Sequence, residues 1–121
     1  IFGGDLKHHI KNHEQKYHKN FTDYTVPFHD IDIIEDSKLH NIININKVTT
    51  NSSHGLAVDK LGKNIAVSAV ASKDGIIEAI EHKNHPFCLG LQWHPEFQSS
   101  KVDDKIFEDF ASHCKIYKQS K

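Results

Sequence analysis

Apolar and polar positions alternate along Tyr24 to Ile34 (YTVPFHDIDII), which predicts a strand with Pro27 confined to an edge or an early position. Two β-prone runs, Ile65 to Ser72 (IAVSAVAS) and Ile76 to Glu81 (IIEAIE), flank Lys73-Asp74-Gly75. Asp-Gly between such runs is a strong short-range signal for a β-hairpin. Asn41 to Thr50 is β-prone too, with strand expected only in its second half, after a short helical turn around Leu39 capped by Asp36 or Ser37. Asn51-Ser52-Ser53-His54 forms a turn cluster, and a short helix is expected from there to Leu61, with Gly62 as its stop. Phe87 to Trp93 is a continuous apolar run of the kind found in buried strands. In the last segment Val102, Ile106, Phe107, Phe110, Ala111 and Cys114 recur at three- and four-residue steps, so a helix with one apolar stripe is predicted. Asp103 and Asp104 fall in its first turn and Lys115 and Lys118 near its end, as the helix dipole favours. The class is mixed α and β, in one unit spanning 1–121.

The N-terminal stretch breaks this regularity. Ile1 to Leu6 is apolar and then glycine-marked, the exit of an element into a turn. Lys7 to Asp23 is polar and rich in histidine. His9 and His13, four apart, would share a metal-binding face on a helix, with His8 and His18 nearby. The segment has no apolar periodicity and no ligating cysteine, so it is read as a polar loop, and neither a metal nor an organic cofactor is expected.

Composition narrows the function classes. With 121 residues and 37% hydrophobic content, one modest core is affordable. The formal net charge of -1 is spread along the chain and argues against nucleic-acid binding. Every basic residue is lysine, so bidentate capture of a phosphate or carboxylate by a guanidinium is excluded. Two cysteines, Cys88 and Cys114, make no disulfide framework and point to a reduced, cytosolic protein. No apolar run approaches the roughly 18 residues of a membrane span, so no membrane partner is expected. A start at Ile1 rather than methionine implies a fragment or one part of a split gene.

Gln92-Trp93-His94-Pro95-Glu96 is the most informative stretch. It follows a strand, so His94 would emerge at a strand end, where open sheets place their sites. If Pro95 holds the chain extended, His94 and Glu96 share one side, and the carboxylate can accept the imidazole N–H and fix its tautomer. That is the base and orienter of a nucleophilic triad, although His-x-Glu spacing by itself also describes an incidental loop pair.

The words NSSHGLAVDKLG (Asn51–Gly62), DGIIEAIEH (Asp74–His82) and PFCLGLQWHPE (Pro86–Glu96) follow, in order and spacing, the class I glutamine amidotransferase superfamily. The resemblance is narrower to its γ-glutamyl-γ-aminobutyrate hydrolase-like branch, peptidase family C26. GGDLKHHI (Gly3–Ile10) and HDIDIIEDSKLHNI (His29–Ile42) extend it over most of the chain. The resemblance implies an α/β fold: the C-terminal portion of a flavodoxin-like amidotransferase domain, with a β-hairpin and a C-terminal helix. It implies a Cys-His-Glu triad in which His94 and Glu96 are the second and third members. It also implies that Ser53 and His54 lie on a substrate-facing loop, while Asn51 reads rather as a helix cap. The family's Gly-x-Cys-x-Gly elbow stands one short helix before the Gly-Gly segment, so it is expected upstream of Ile1 and the nucleophile outside this chain. Cys88 would be roughly 20 Å of strand from His94, and Cys114 belongs to the apolar stripe, a buried and unreactive thiol.

Two motif positions depart from the family. Gly55 and Leu56 stand where it has His-Gln, and His8-His9 where it has Gln-Asp, which removes polar groups from the implied pocket. Three functions remain open. One is a catalytically silent half of a γ-glutamyl amide hydrolase, its sheet edges exposed. A second is a half completed by a separate cysteine-bearing N-terminal partner and acting on a glutamine-like small molecule. The third is a non-catalytic binding module.

Overall fold

A computed structural model of the chain describes residues 3–7, 13, 23, 27–54, 56–97, 100 and 102–119. Five strands form an antiparallel sheet in the order β3-β2-β5-β6-β7: β2 (His29–Ile33), β3 (Lys47–Thr50), β5 (Ile65–Ala71), β6 (Ile77–His82) and β7 (Leu89–Leu91). A separate two-stranded ribbon pairs β1 (Asp5–Lys7) with β4 (Ala57–Lys60). Two helices, α1 (Lys38–Ile43) and α2 (Asp103–Gln119), complete the elements, with a 3-10 turn at Pro95–Phe97. Among the described residues no helix is long and apolar enough to cross a membrane.

The expected hairpin is β5–β6. Its connection places Gly75 at φ +71°, in the left-handed region that glycine enters without steric cost. Asp74 Oδ1 accepts the Ile76 N–H at 3.1 Å, an Asx turn that fixes the return. The capped turn at Leu39 is α1: Ser37 Oγ accepts from His40 N at 3.0 Å, and Asn44 ends the helix in the left-handed conformation at φ 56°. From across the sheet, buried Glu81 accepts the Lys38 N–H at 2.9 Å and the Leu39 N–H at 3.3 Å, two donors that a helix start leaves orphaned. The Lys38 ammonium in turn donates to the carbonyls of His82, Lys83 and His85.

Three expectations are corrected. Ala57–Lys60 is strand β4, not helix; pairing with β1 outweighs the local helical preference of Ala-Val-Asp-Lys. That pairing requires Gly4, where a Cβ would meet the Lys60 carbonyl oxygen at 2.7 Å. The Phe87–Trp93 run is not a fully buried strand. Only Leu89–Leu91 pairs, at the sheet edge and half-exposed. The apolar stripe of α2 is buried only at its start: Val102 and Ile106 enter the core, whereas Phe107, Phe110, Ile116 and Cys114 are exposed. Besides packing on α1, the helix meets the loop before β7, where the rings of Phe87 and Phe110 lie 5.4 Å apart.

The main core joins Ile31, Ile33, Val48, Ala69 and Ala79 of the sheet to Leu39 and Ile43 of α1, Val102, Ile106 and Trp93. Trp93 is 2% exposed, and its Nε1–H donates to Asp103 Oδ1 at 3.1 Å. Asp103 is thus a buried acceptor, not only a charge near the helix dipole. Burial pushes its carboxyl up to about 6, against the hydrogen bonds from Trp93 and Ser100 that favour the anion. A carboxyl whose pKa is raised on folding binds its proton more tightly in the folded state. Its contribution to stability is therefore greatest below the unfolded value near 4 and is lost as pH rises through about 6. Urea midpoints measured from pH 4.5 to 7.5 are expected to fall across that window, and the Asp103→Asn variant to fall less; equal slopes would contradict the assignment.

Candidate active site

The chain leaves β7, bends at Gln92-Trp93 and enters the 3-10 turn at Pro95. Proline suits the first position of such a turn, since its missing N–H is not needed there. His94 Nδ1 and Glu96 Oε1 stand 2.9 Å apart, a hydrogen bond in which the imidazole N–H donates to the carboxylate. The local conformation is a turn and not the extended chain expected from Pro95, yet it brings the two groups together. The pair is open, with side chains 41% and 57% exposed, and Phe97 sets its ring edge-on to the imidazole at 6.0 Å. The Nδ1 bond leaves Nε2 of the neutral ring as the lone-pair atom, the state a general base needs.

What holds this turn is Asn51. Its buried side chain accepts the His94 N–H at 2.8 Å and donates to the His94 carbonyl at 3.1 Å. No helix follows for it to cap. One amide thus meets both backbone groups of the histidine from 43 residues away. Replacing Asn51 by alanine strands both partners, and the chain is expected to lose about 2–3 kcal/mol in urea unfolding. A loss under 0.5 kcal/mol, within the range of about ±0.5 for a surface change, would show that the amide does not secure the turn.

The next residues lead to a second constellation. Buried Ser52 donates from Oγ to the His13 carbonyl at 2.9 Å. His13 itself is 4% exposed, so the polar-loop reading fails at this position; His8, His9 and His18 lie outside the described residues. The ring is held between two carboxylates, with Nδ1 2.7 Å from Asp74 Oδ2 and Nε2 2.7 Å from Glu78 Oε2. His29 Nε2 lies 3.6 Å from Glu78 Oε1 and His54 Nε2 3.5 Å from Glu78 Oε2. Glu78 is fully buried. Burial favours its neutral form, but the imidazoles, His13 foremost, outweigh that and hold it well below the usual carboxylate range. For His13 burial opposes the cation, and Glu78 and Asp74 overcome it and raise its pKa.

His54, expected on a substrate-facing loop, turns its ring inward to this cluster, with Nδ1 2.8 Å from the Leu56 carbonyl. Ser53 beside it is half-buried, and Gly55 is outside the described residues. Cys88, which precedes β7, and Cys114, on the distal part of α2, are free and exposed; for Cys114 the expectation of a buried thiol is corrected.

The Peptidase C26 family model matches residues 1–96. The chain is 41% identical over 108 residues to the glutamine amidotransferase-like protein RP404 of Rickettsia prowazekii, covering 88% of this chain and 36% of that one. It is 35% identical over 91 residues to the γ-glutamyl-γ-aminobutyrate hydrolase PuuD of Escherichia coli, covering 73% and 35%. It therefore spans about a third of the length of these curated relatives. Among solved structures, a GMP synthase subunit from Thermoplasma acidophilum superposes with a TM-score of 0.71 at 15% identity, covering 98% of this chain and 52% of that one. A glutamine amidotransferase of Thermotoga maritima gives 0.54, also at 15% identity, covering 98% and 44%. At that identity the likeness concerns the fold, which is that of the C-terminal portion of an α/β amidotransferase domain. The histidine that Asn51 secures thus stands in a chain that belongs to the Peptidase C26 family of the class I glutamine amidotransferase-like superfamily.

Proposed function

We propose that this chain carries the base and its orienter for hydrolysis of a γ-glutamyl amide bond, and that the nucleophilic cysteine comes from outside these 121 residues. The observation that carries the proposal is the 2.9 Å bond between His94 and Glu96 on a solvent-open turn, in a chain of this family. A thiolate held near Nε2 would attack the γ-carbonyl. His94 would take the thiol proton and give it to the leaving amine, while Glu96 holds the imidazole's tautomer and stabilises its cation. Water, deprotonated by His94, would then release glutamate from the thioester. No metal or organic cofactor enters these steps.

Neither resident thiol fits the nucleophile's place. A thiol must come within roughly 3 Å of its base. Cys88 lies before β7 and His94 beyond its far end, and Cys114 sits on the distal part of α2. Ser53, two residues after the Asn51 anchor, is the candidate for a substrate contact; His54 belongs with it by motif, although its ring faces Glu78.

The test is an assay with γ-glutamyl-p-nitroanilide and γ-glutamyl-γ-aminobutyrate. The chain alone is expected to show no turnover. Mixing it with a Gly-x-Cys-x-Gly-bearing N-terminal segment from a related hydrolase is expected to generate activity that iodoacetamide abolishes. Turnover by the chain alone, above a His94→Ala control, would overturn the assignment of the nucleophile. A complex that forms and stays inert would favour a binding module.

A further inference from the structure

The cluster around Glu78 takes no part in the proposed proton transfers, and its own proton arrangement is unusual. Both ring nitrogens of His13 face a carboxylate at 2.7 Å. Without a metal, only a doubly protonated ring can satisfy both. His54 commits Nδ1–H to the Leu56 carbonyl, so a neutral His54 aims the lone pair of Nε2 at Glu78 from 3.5 Å. His29 Nε2, His54 Nε2 and Glu78 Oε1 are buried and have no hydrogen-bond partner among the described residues. Three unpartnered polar atoms thus gather at one buried carboxylate, an arrangement that a cation would satisfy.

We propose that His13, His29, His54 and Glu78 form a buried site for one divalent first-row transition metal ion, of which Zn2+ suits the ligand set best, and that Asp74 orients His13 within it. Three imidazoles and a carboxylate are a donor set that zinc accepts, and the ligand atoms of His13, His29 and Glu78 already lie within 4.8 Å of one another. Tetrahedral bonds of about 2.0–2.1 Å place ligand atoms roughly 3.4 Å apart; His54 lies 3.5 Å from Glu78 Oε2 and His29 3.6 Å from Oε1, and His13 must withdraw slightly from the 2.7 Å it keeps to Oε2. Nδ1–H of His13 then keeps its bond to Asp74 while Nε2 turns to the metal. A carboxylate behind a ligating imidazole is the arrangement that fixes tautomer and ring orientation in zinc sites. The dication offsets the two carboxylates, and the site ties residue 13 and the 51–54 segment to β6. Its role is structural: Ser52 bonds to the His13 carbonyl and the adjacent Asn51 to His94.

The test uses the full chain, stripped with EDTA and titrated with Co2+ and then Zn2+. One equivalent of Co2+ is expected to bind with the intense visible bands of a four-coordinate ion, to be displaced by Zn2+, and to raise Tm. Near pH 7 binding should release a proton. Glu78→Gln is expected to abolish the bands. Asp74→Asn keeps the turn and should weaken affinity about 10–100-fold, while His113→Gln on α2 leaves it unchanged. Should Glu78→Gln fail to fold, Asp74→Asn, on a partly exposed turn, decides. No binding, a pale octahedral spectrum, or affinity untouched by Asp74→Asn would each overturn the site in favour of an imidazolium–carboxylate cluster or adventitious surface binding.

Discussion

If the proposed hydrolase is assembled from this chain and a cysteine-bearing N-terminal segment, His94→Ala is expected to lower kcat for γ-glutamyl amide hydrolysis by about 10³–10⁴-fold. General acid–base catalysis is worth about 10²–10⁴-fold on its own, and loss of the base also leaves the thiol largely protonated. In the proposed role the histidine acts on protons in flight and not on the bound substrate, so kcat and kcat/KM should fall together. Glu96→Gln should fall between wild type and His94→Ala: an amide still accepts from Nδ1–H, but the negative charge that favours the imidazolium is gone. The pair is open to solvent, so that charge acts in a high-dielectric setting and its loss costs less than loss of the base. A variant whose KM rises while kcat is kept would show that His94 binds substrate and does no chemistry.

The second large effect is expected at Trp93. Trp93→Ala removes the largest fully buried side chain and the donor to Asp103. Truncating a buried tryptophan costs about 3–5 kcal/mol, against a total of about 5–15 kcal/mol for a typical domain. The cooperative urea transition should move to far lower denaturant or vanish, with the near-UV signal. Trp93→Phe should cost less, because it keeps most of the packing and loses only the hydrogen bond. A midpoint for Trp93→Ala close to wild type would mean that α2 is not anchored to the sheet through this ring.

Legibility in the sequence follows the range of the contacts. The β5–β6 hairpin can be read because Asp74-Gly75 and its flanking runs are contiguous, and Ser37 announces α1 for the same reason. β4 escapes a local reading because its partner, β1, lies some fifty residues away, and nothing within Ala57–Lys60 signals it. His94 and Glu96 are recognisable through the family's words; their spacing alone predicts an extended pair, where the chain makes a turn. Asn51 reads as a cap until its bonds to His94 are visible. The burial of His13 depends on Asp74 and Glu78, 61 and 65 positions later, so composition can only describe a polar loop. One clue is present: Glu78 interrupts an apolar run in β6, a charge at an inward position that needs partners.

Asp74 gives one of these contacts a wider meaning. As a turn residue it is replaceable, since asparagine accepts the Ile76 N–H equally well and Asn-Gly makes as good a hairpin. Its other oxygen belongs to His13. A loop tip that turn chemistry would leave free to drift between Asp and Asn is therefore pinned to the acid by a ring sixty-one positions upstream. Tolerance at this position then measures how far a chain of this fold depends on its buried histidines.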